Sequence, residues 1–174
     1  MLFRSDGKGA RRVAQILRAP ALLLRPAAPA DTRLVFDWAN DPQVRAVSFT
    51  AGAIAWPDHE RWFQAQLASP GAVLLIAETP DHQPVGIARF VIADGVATIS
   101  ISVAAGFRGS GYGRQLIEKS SRQILQRADV RAVHAFVKAD NPASARAFLA
   151  AGYREASAPG PHGARVFVFH RPQS

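Results

Sequence analysis

Cysteine is missing altogether, which excludes disulfides and any thiolate metal site. No apolar run approaches the 18 or so residues of a membrane span, and no secretory-type apolar segment opens the chain, so a soluble, cytoplasmic protein is expected. Aromatic residues are sparse at 9%, with two tyrosines, and they are not interleaved with lysine and arginine. Zinc-finger and RNP-type patterns are lacking too. The net charge of +8 therefore favours anionic partners in general without making nucleic acid a favoured one. No metal is expected.

What remains is ordinary globular material, 174 residues that are 48% apolar and 20% charged. That length suits one domain, since about 150 residues bury roughly 70% of their unfolded surface. The first twenty residues carry Arg4, Lys8, Arg11, Arg12 and Arg18 against Asp6, which is half of the charge excess. Residues 1–20 read as a basic, flexible extension and residues 21–174 as a single domain.

Residues 21–26 read as a strand, and 29–40 as a helix opened by Asp31 and closed near Asn40-Asp41-Pro42. An irregular stretch at 44–57 precedes a second helix at 59–67, capped by Asp58 and ended by Ser69-Pro70-Gly71. Apolar runs at 72–78, 85–92 and 96–103 form an antiparallel meander. A helix to about Arg127, a strand at 132–137, a helix at 141–151 and strands at 153–156 and 164–170 complete the chain. That order predicts an α+β fold with a mixed central sheet of about seven strands.

The most informative stretch follows the third meander strand. Arg108-Gly-Ser-Gly-Tyr-Gly113 joins an alternating strand to an amphipathic helix. Its glycines permit positive φ, so successive N–H groups can converge at the positive end of the helix and cradle a pyrophosphate. The third glycine comes one residue early for the dinucleotide fingerprint, and no Gly-Lys-Ser/Thr follows as a Walker loop requires. One strand later, Asn141-Pro142 opens a helix that Gly152 closes. Together, Arg108-x-x-Gly111-x-Gly113 and Asn141-x-x-Ser144-x-x-x-Phe148-x-x-x-Gly152-Tyr153 resemble the two signature motifs of the GNAT superfamily of acetyltransferases, over about residues 22–170.

The resemblance implies a GNAT-like sheet with helices on both faces and acetyl-CoA in a V-shaped opening between the strands ending at Val103 and Val137. Backbone amides of Gly109, Ser110, Gly111, Tyr112 and Gly113, flanked by Arg108 and Arg114, would hold the pyrophosphate. Ile101, Ser102 and Val103 would pair with the pantetheine arm as with an added strand. Asn141, Ser144 and Phe148 would complete the cofactor site, and the Val103 N–H would polarise the thioester carbonyl.

Acetyl transfer to an amine needs the neutral nucleophile, and freeing it from an ammonium of pKa about 10.4 costs roughly 4 to 5 kcal/mol at pH 7. A base or a water chain is expected. Where relatives often carry a glutamate, the strand before the cradle carries Thr98, Ser100 and Ser102, read as water-holders. Glu78 and His59 are the base candidates and His134 is a third. Relatives often place a proton-donating tyrosine where this chain has Phe148, which donates nothing, although a thiol of pKa about 8.5 leaves tolerably unaided.

Trp38, Asn40, Arg45, Phe49, His59 and Arg89 form the expected acceptor region. The stretch from Asp37 to Trp62 resembles the acceptor region of amino-sugar N-acetyltransferases acting on UDP-linked 4-amino-4,6-dideoxy sugars in pseudaminic-acid-type synthesis. It shares part of its pattern with ribosomal-protein N-terminal acetyltransferases. Arg45, Arg61 and Arg89 would meet a second diphosphate bidentately. The expected partner is a small-molecule amine, and a second copy of the chain is a candidate partner. Peptide N-termini, small amines, and a module that binds acyl-CoA without turnover remain as alternatives.

Overall fold

Runs of Val, Ile, Leu, Phe and Ala build one seven-stranded sheet: β1 (Leu23–Pro26), β2 (Ala72–Glu78), β3 (Pro84–Ala93), β4 (Val96–Val103), β5 (Ala132–Val137), β6 (Arg154–Glu155) and β7 (Arg165–His170). The spatial order is β1-β2-β3-β4-β5-β7-β6, and β4–β5 is the parallel pair in an otherwise antiparallel sheet. The coordinates come from a computed structural model that describes residues 21–50 and 52–171. The basic extension at residues 1–20 lies outside the described residues.

Five α-helices accompany the sheet among the described residues: α1 (Thr32–Ala39), α2 (Pro42–Val47), α3 (Trp56–Ala68), α4 (Tyr112–Ile124) and α5 (Pro142–Ala150). Alternation along the strands sorts side chains onto two faces. Leu75, Ala88, Phe90, Ala97, Ile99, Val133, Ala135 and Val137 pack with Leu116 and Ile117 of α4 and Ala145 and Phe148 of α5 in the larger core. Leu74, Ile76 and Ile87 face the other way, against Val35 of α1 and Phe63 of α3. Helices thus cover both faces, as the family pattern implied.

Three local readings change. The stretch expected to be irregular contains α2, because Asp41-Pro42 starts a helix there as well as ending the one before it. Asp41 Oδ1 accepts from the N–H groups of Gln43 at 2.9 Å and Val44 at 3.3 Å, and Pro42 sits in the first turn, where its missing N–H costs nothing. Asp58 is not the cap of α3 either. That helix begins at Trp56 after Ala55, and Asp58 lies inside its first turn, paired with Arg61. Asp31 precedes α1 without capping it. Its carboxylate instead takes the Ala28 N–H at 2.8 Å and a two-pronged bond from Arg25 at 2.7 and 2.9 Å.

The register fixes where the sheet opens. β4 and β5 pair from Val96–Ala132 to Ile99–Ala135, and there the parallel ladder stops, while β4 continues to Val103 paired only with β3. The last residues of β4 and β5 therefore flank a V.

Candidate active site

The cradle is built at the mouth of that V. Gly109 and Gly111 hold φ of 76° and 84°, a left-handed conformation that costs other residues about 1 to 2 kcal/mol. Gly111 is the residue before α4, and the first helical bond runs from Gln115 N–H to its carbonyl at 3.2 Å. The N–H groups of Tyr112, Gly113 and Arg114 consequently precede the first helical donor and point out of the helix end, where the dipole favours an anion. Gly109, Ser110 and Gly111 are exposed beside them.

β4 presents its free edge to the same space. Ala104 N–H donates to Val85 O at 2.8 Å on the β3 side, so alternation turns the N–H and carbonyl of Val103, and those of Ile101, toward β5. With the β5 ladder ended at Ile99, an extended chain can lie along these groups. The side chains of Ile101 and Val103 face the α4 core, whereas Ser100 and Ser102 line the opposite face, in register with Arg89 and Ile87 of β3.

Three cofactor-site expectations need correction at the side-chain level. Arg108 turns away from the cradle: its Nε donates to Val103 O at 2.9 Å, Nη1 to Gln43 Oε1 at 2.8 Å, and Nη2 pairs with Asp41 Oδ1 at 3.1 Å, fastening α2 to the end of β4. Tyr112 is buried, edge-on to Phe107 at 5.4 Å, so only its backbone faces the cradle. Phe148 is 3% exposed, wedged between Tyr153 at 5.0 Å and Phe167 at 6.1 Å, and is a core residue rather than a cofactor contact. Asn141 caps α5 through Oδ1, which accepts the Ser144 N–H at 3.1 Å.

The base candidates fare differently. His59 is 2% exposed among Phe36, Trp56, Trp62 and Phe63, and its Nε2 bonds the Thr32 carbonyl at 3.0 Å. Burial lowers its pKa, with the Thr32 bond opposing and the Arg89 charge reinforcing the shift. A sealed ring cannot reach a substrate, so His59 is withdrawn from both the base and the acceptor sets. Glu78 stands at the correct end of the sheet but two strands from β4, roughly 10 Å at 4.8 Å per strand. It is bonded by Arg25 at 2.7 Å, which lowers its pKa against desolvation, and His82 adds a contact at 3.3 Å. His134 pairs with Thr98 below the point where the ladder ends, away from the V.

Neither tyrosine replaces the acid that Phe148 cannot be. Tyr153 is buried, its hydroxyl 2.6 Å from Ser121 Oγ, and burial raises its pKa strongly.

The acceptor set divides as well. Asn40 spends its amide on Ile54, donating to its carbonyl at 3.1 Å and accepting its N–H at 2.7 Å, and so pins the segment before α3. Arg61 is paired with Asp58. Trp38 and Trp62 pack against the smaller core. Arg89, half-buried on β3, stacks its guanidinium over Trp62 at 5.4 Å, and its enclosed Nε has no hydrogen-bond partner among the described residues. Burial, then the like charge of Arg45, lowers the affinity of Arg89 for its proton. Arg45 bonds Thr50 and the Ala39 carbonyl, yet its Nε is also enclosed and unpartnered among the described residues. Phe49 is 49% exposed and faces the His162 ring at 6.3 Å. His162 was not among the expected site residues; its only sequence signal is the turn Pro161-His-Gly163.

A family model described as an acetyltransferase (GNAT) domain matches residues 21–154. No curated protein matches the sequence. Among solved structures, the fold is similar to AAC(6')-Ib in complex with paromomycin and acetyl-CoA, with 19% identity, a TM-score of 0.76, and 87% of this chain and 94% of that one covered. The same aminoglycoside acetyltransferase with coenzyme A and kanamycin is 18% identical, with a TM-score of 0.75 over 87% and 95%. Spermidine N-acetyltransferase from Vibrio cholerae in complex with CoA and spermine is 15% identical, with a TM-score of 0.73 over 84% and 92%.

Proposed function

Because the chain belongs to the GNAT acetyltransferases, and is thus an acetyl-CoA-dependent N-acetyltransferase, we propose that its acceptor is a primary amine on a nucleotide-linked amino sugar. The observation that carries this reading is the pair Arg89, on β3 in register with Ser100, and Arg45 of α2, whose charge is felt at Arg89; both are half-buried guanidiniums without a carboxylate partner among the described residues. An unpaired buried cation is costly, and the cost falls when an anion arrives. The diphosphate of a nucleotide sugar supplies one in a geometry that guanidinium forks match. Kanamycin and spermine, the ligands of the structural relatives, carry several amines, and this pair would repel such polycations.

In the proposed reaction, the pyrophosphate of acetyl-CoA lies against the N–H groups of Gly109 to Gly113, and the pantetheine arm runs along Ile101 to Val103. Asn141 holds the arm through its amide nitrogen while its oxygen keeps the α5 cap. The Val103 N–H donates to the carbonyl oxygen as the amine adds, a contact worth roughly 3 to 4 kcal/mol in the transition state. Holding both substrates in one cleft provides much of the remainder. No helix among the described residues is long and apolar enough to cross a membrane, and the reading assigns the reaction to the cytoplasm.

The test is acetyl-CoA turnover with a UDP-linked 4-amino sugar, spermidine and a peptide with a free N-terminus. Turnover of the sugar is expected, and Arg89→Leu should raise its KM by about 10- to 100-fold, the worth of a charge-assisted bond of about 1.5 to 3 kcal/mol, while the KM for acetyl-CoA stays unchanged. Activity on the peptide or spermidine alone overturns the sugar reading. Acetyl-CoA binding without turnover of any amine would instead identify a binding module.

A further inference from the structure

A cavity of about 580 Å³ lies beside the end of β5, lined by Phe49 and Thr50 after α2, Lys138 and Asp140 after β5, and His162 and Gly163 before β7. His162 is the only imidazole among its lining residues. The segment that carries it is folded down onto the sheet. At Gly160 a Cβ would sit 2.8 Å from Phe136 and 2.9 Å from Val166, so the backbone lies directly on those two side chains. Phe136 and Val166 are a registered pair that alternates with core-facing Ala135 and Phe167, which puts them on the same side of the sheet as Ser100 and Ser102. His162 itself has φ 54° and ψ 29°, left-handed values that non-glycine residues seldom adopt.

We propose that His162 accepts the proton that the acceptor ammonium must lose before it attacks the thioester. An imidazole is the side chain suited to that exchange near neutral pH. The other candidate groups are engaged elsewhere: His59 is sealed, Glu78 is bonded to Arg25, and on this face of the sheet β4 carries only the hydroxyls of Thr98, Ser100 and Ser102. The charged groups facing His162 are Lys138 and Asp140, 4.0 Å from one another, with Lys138 also reaching the Ala46 carbonyl at 3.5 Å. Phe49 is uncharged, Thr50 holds the Arg45 guanidinium through its carbonyl and Oγ1, and Arg165, at the end of the same segment, is bound at 2.6 and 2.7 Å to Glu155.

One N–H proton of R–NH₃⁺ passes to the imidazole and from its exposed side to solvent. The freed lone pair forms the new C–N bond, and the C–S bond breaks as the tetrahedral adduct collapses. The second proton lost by nitrogen ends on the thiolate as CoA-SH. The proposal rests on acetyl transfer to an amine and is independent of which amine that is.

The experiment compares the wild-type chain with His162→Asn, which tolerates the left-handed backbone, and with His162→Gly, which removes its strain. Both are assayed with the fastest acceptor among a UDP-linked 4-amino sugar, spermidine and a dipeptide, from pH 6 to 10. At pH 7, kcat/KM should fall by about 10² to 10⁴-fold. The deficit should close as pH nears the amine's own pKa of about 10, and the KM for acetyl-CoA should not move. An undiminished rate, an equal deficit at every pH, or turnover of none of the three amines would overturn the proposal.

Discussion

Arg108 Nε donates to the Val103 carbonyl at 2.9 Å while its Nη atoms hold Gln43 and Asp41, so one side chain from the cradle spans the two halves of the site. It fixes the last peptide of the free β4 edge and the start of α2 together. The same contact helps keep the Asp41 carboxylate ionised: against desolvation, bonds from Arg108, Val44 and Gln43 lower its pKa.

Arg108→Ala should therefore weaken acceptor and donor binding at once. Loss of the charge-assisted bonds costs about 1 to 2 kcal/mol for this partly exposed group. Thermal unfolding should report the lower stability, and steady-state kinetics should show both KM values raised. A variant that raises only one would separate the two halves.

Phe148→Tyr is the tempting repair of a missing acid, and it should not raise kcat. The ring is enclosed by Tyr153 and Phe167, so an added hydroxyl would be buried without a partner, at about 1 to 3 kcal/mol. A lower melting temperature with no gain in turnover is the expected result.

Stability should depend on pH through Arg25 and its two carboxylates. Hydrogen bonds from Arg25 lower the pKa values of Asp31 and Glu78 below their unfolded values. For a depressed carboxylate, the stabilisation is present above the unfolded pKa, about 3.9 and 4.3 here, and is lost as pH falls through the folded values. Thermal melts between pH 2 and 7 should show a steep decline below about pH 4, and Arg25→Met should flatten it.

Gly160→Ala tests how the cavity wall is held. The new methyl would overlap Phe136 and Val166 on the sheet, so the segment must lift. Such overpacking costs about 1 to 3 kcal/mol. If the segment positions His162, kcat should drop while the KM for acetyl-CoA is spared.

Strand positions were legible in the sequence because alternation and turn residues agree there: β2, β4 and β5 fall where their apolar runs lie. The cradle was legible because its glycines are required by backbone conformation. Side-chain roles were not. Asn40 and Arg108 look like ligand-binding residues by type, yet bonds to residues distant in sequence, Ile54 for the one and Gln43 and Asp41 for the other, use them up. His59 at a helix start reads as exposed until α1 packs over it. Asn40-Asp41-Pro42 ends one helix and begins another, and only the bonds from Gln43 and Val44 to Asp41 reveal the second. His162 had no periodic signal, since its place depends on a turn folding back across two strands.

The end of the β4–β5 ladder at Ile99–Ala135 gives the molecule a strand edge in the interior of its sheet. Outer edges invite pairing with other chains, and proteins guard them with charge or bulges. This one is guarded by geometry. The gap is flanked by strands on both sides and narrows to nothing at its closed end, so it admits a single thin, extended molecule from the open end and excludes another polypeptide sheet. A long, slender donor would thus be matched to this gap by backbone register before any side chain is consulted.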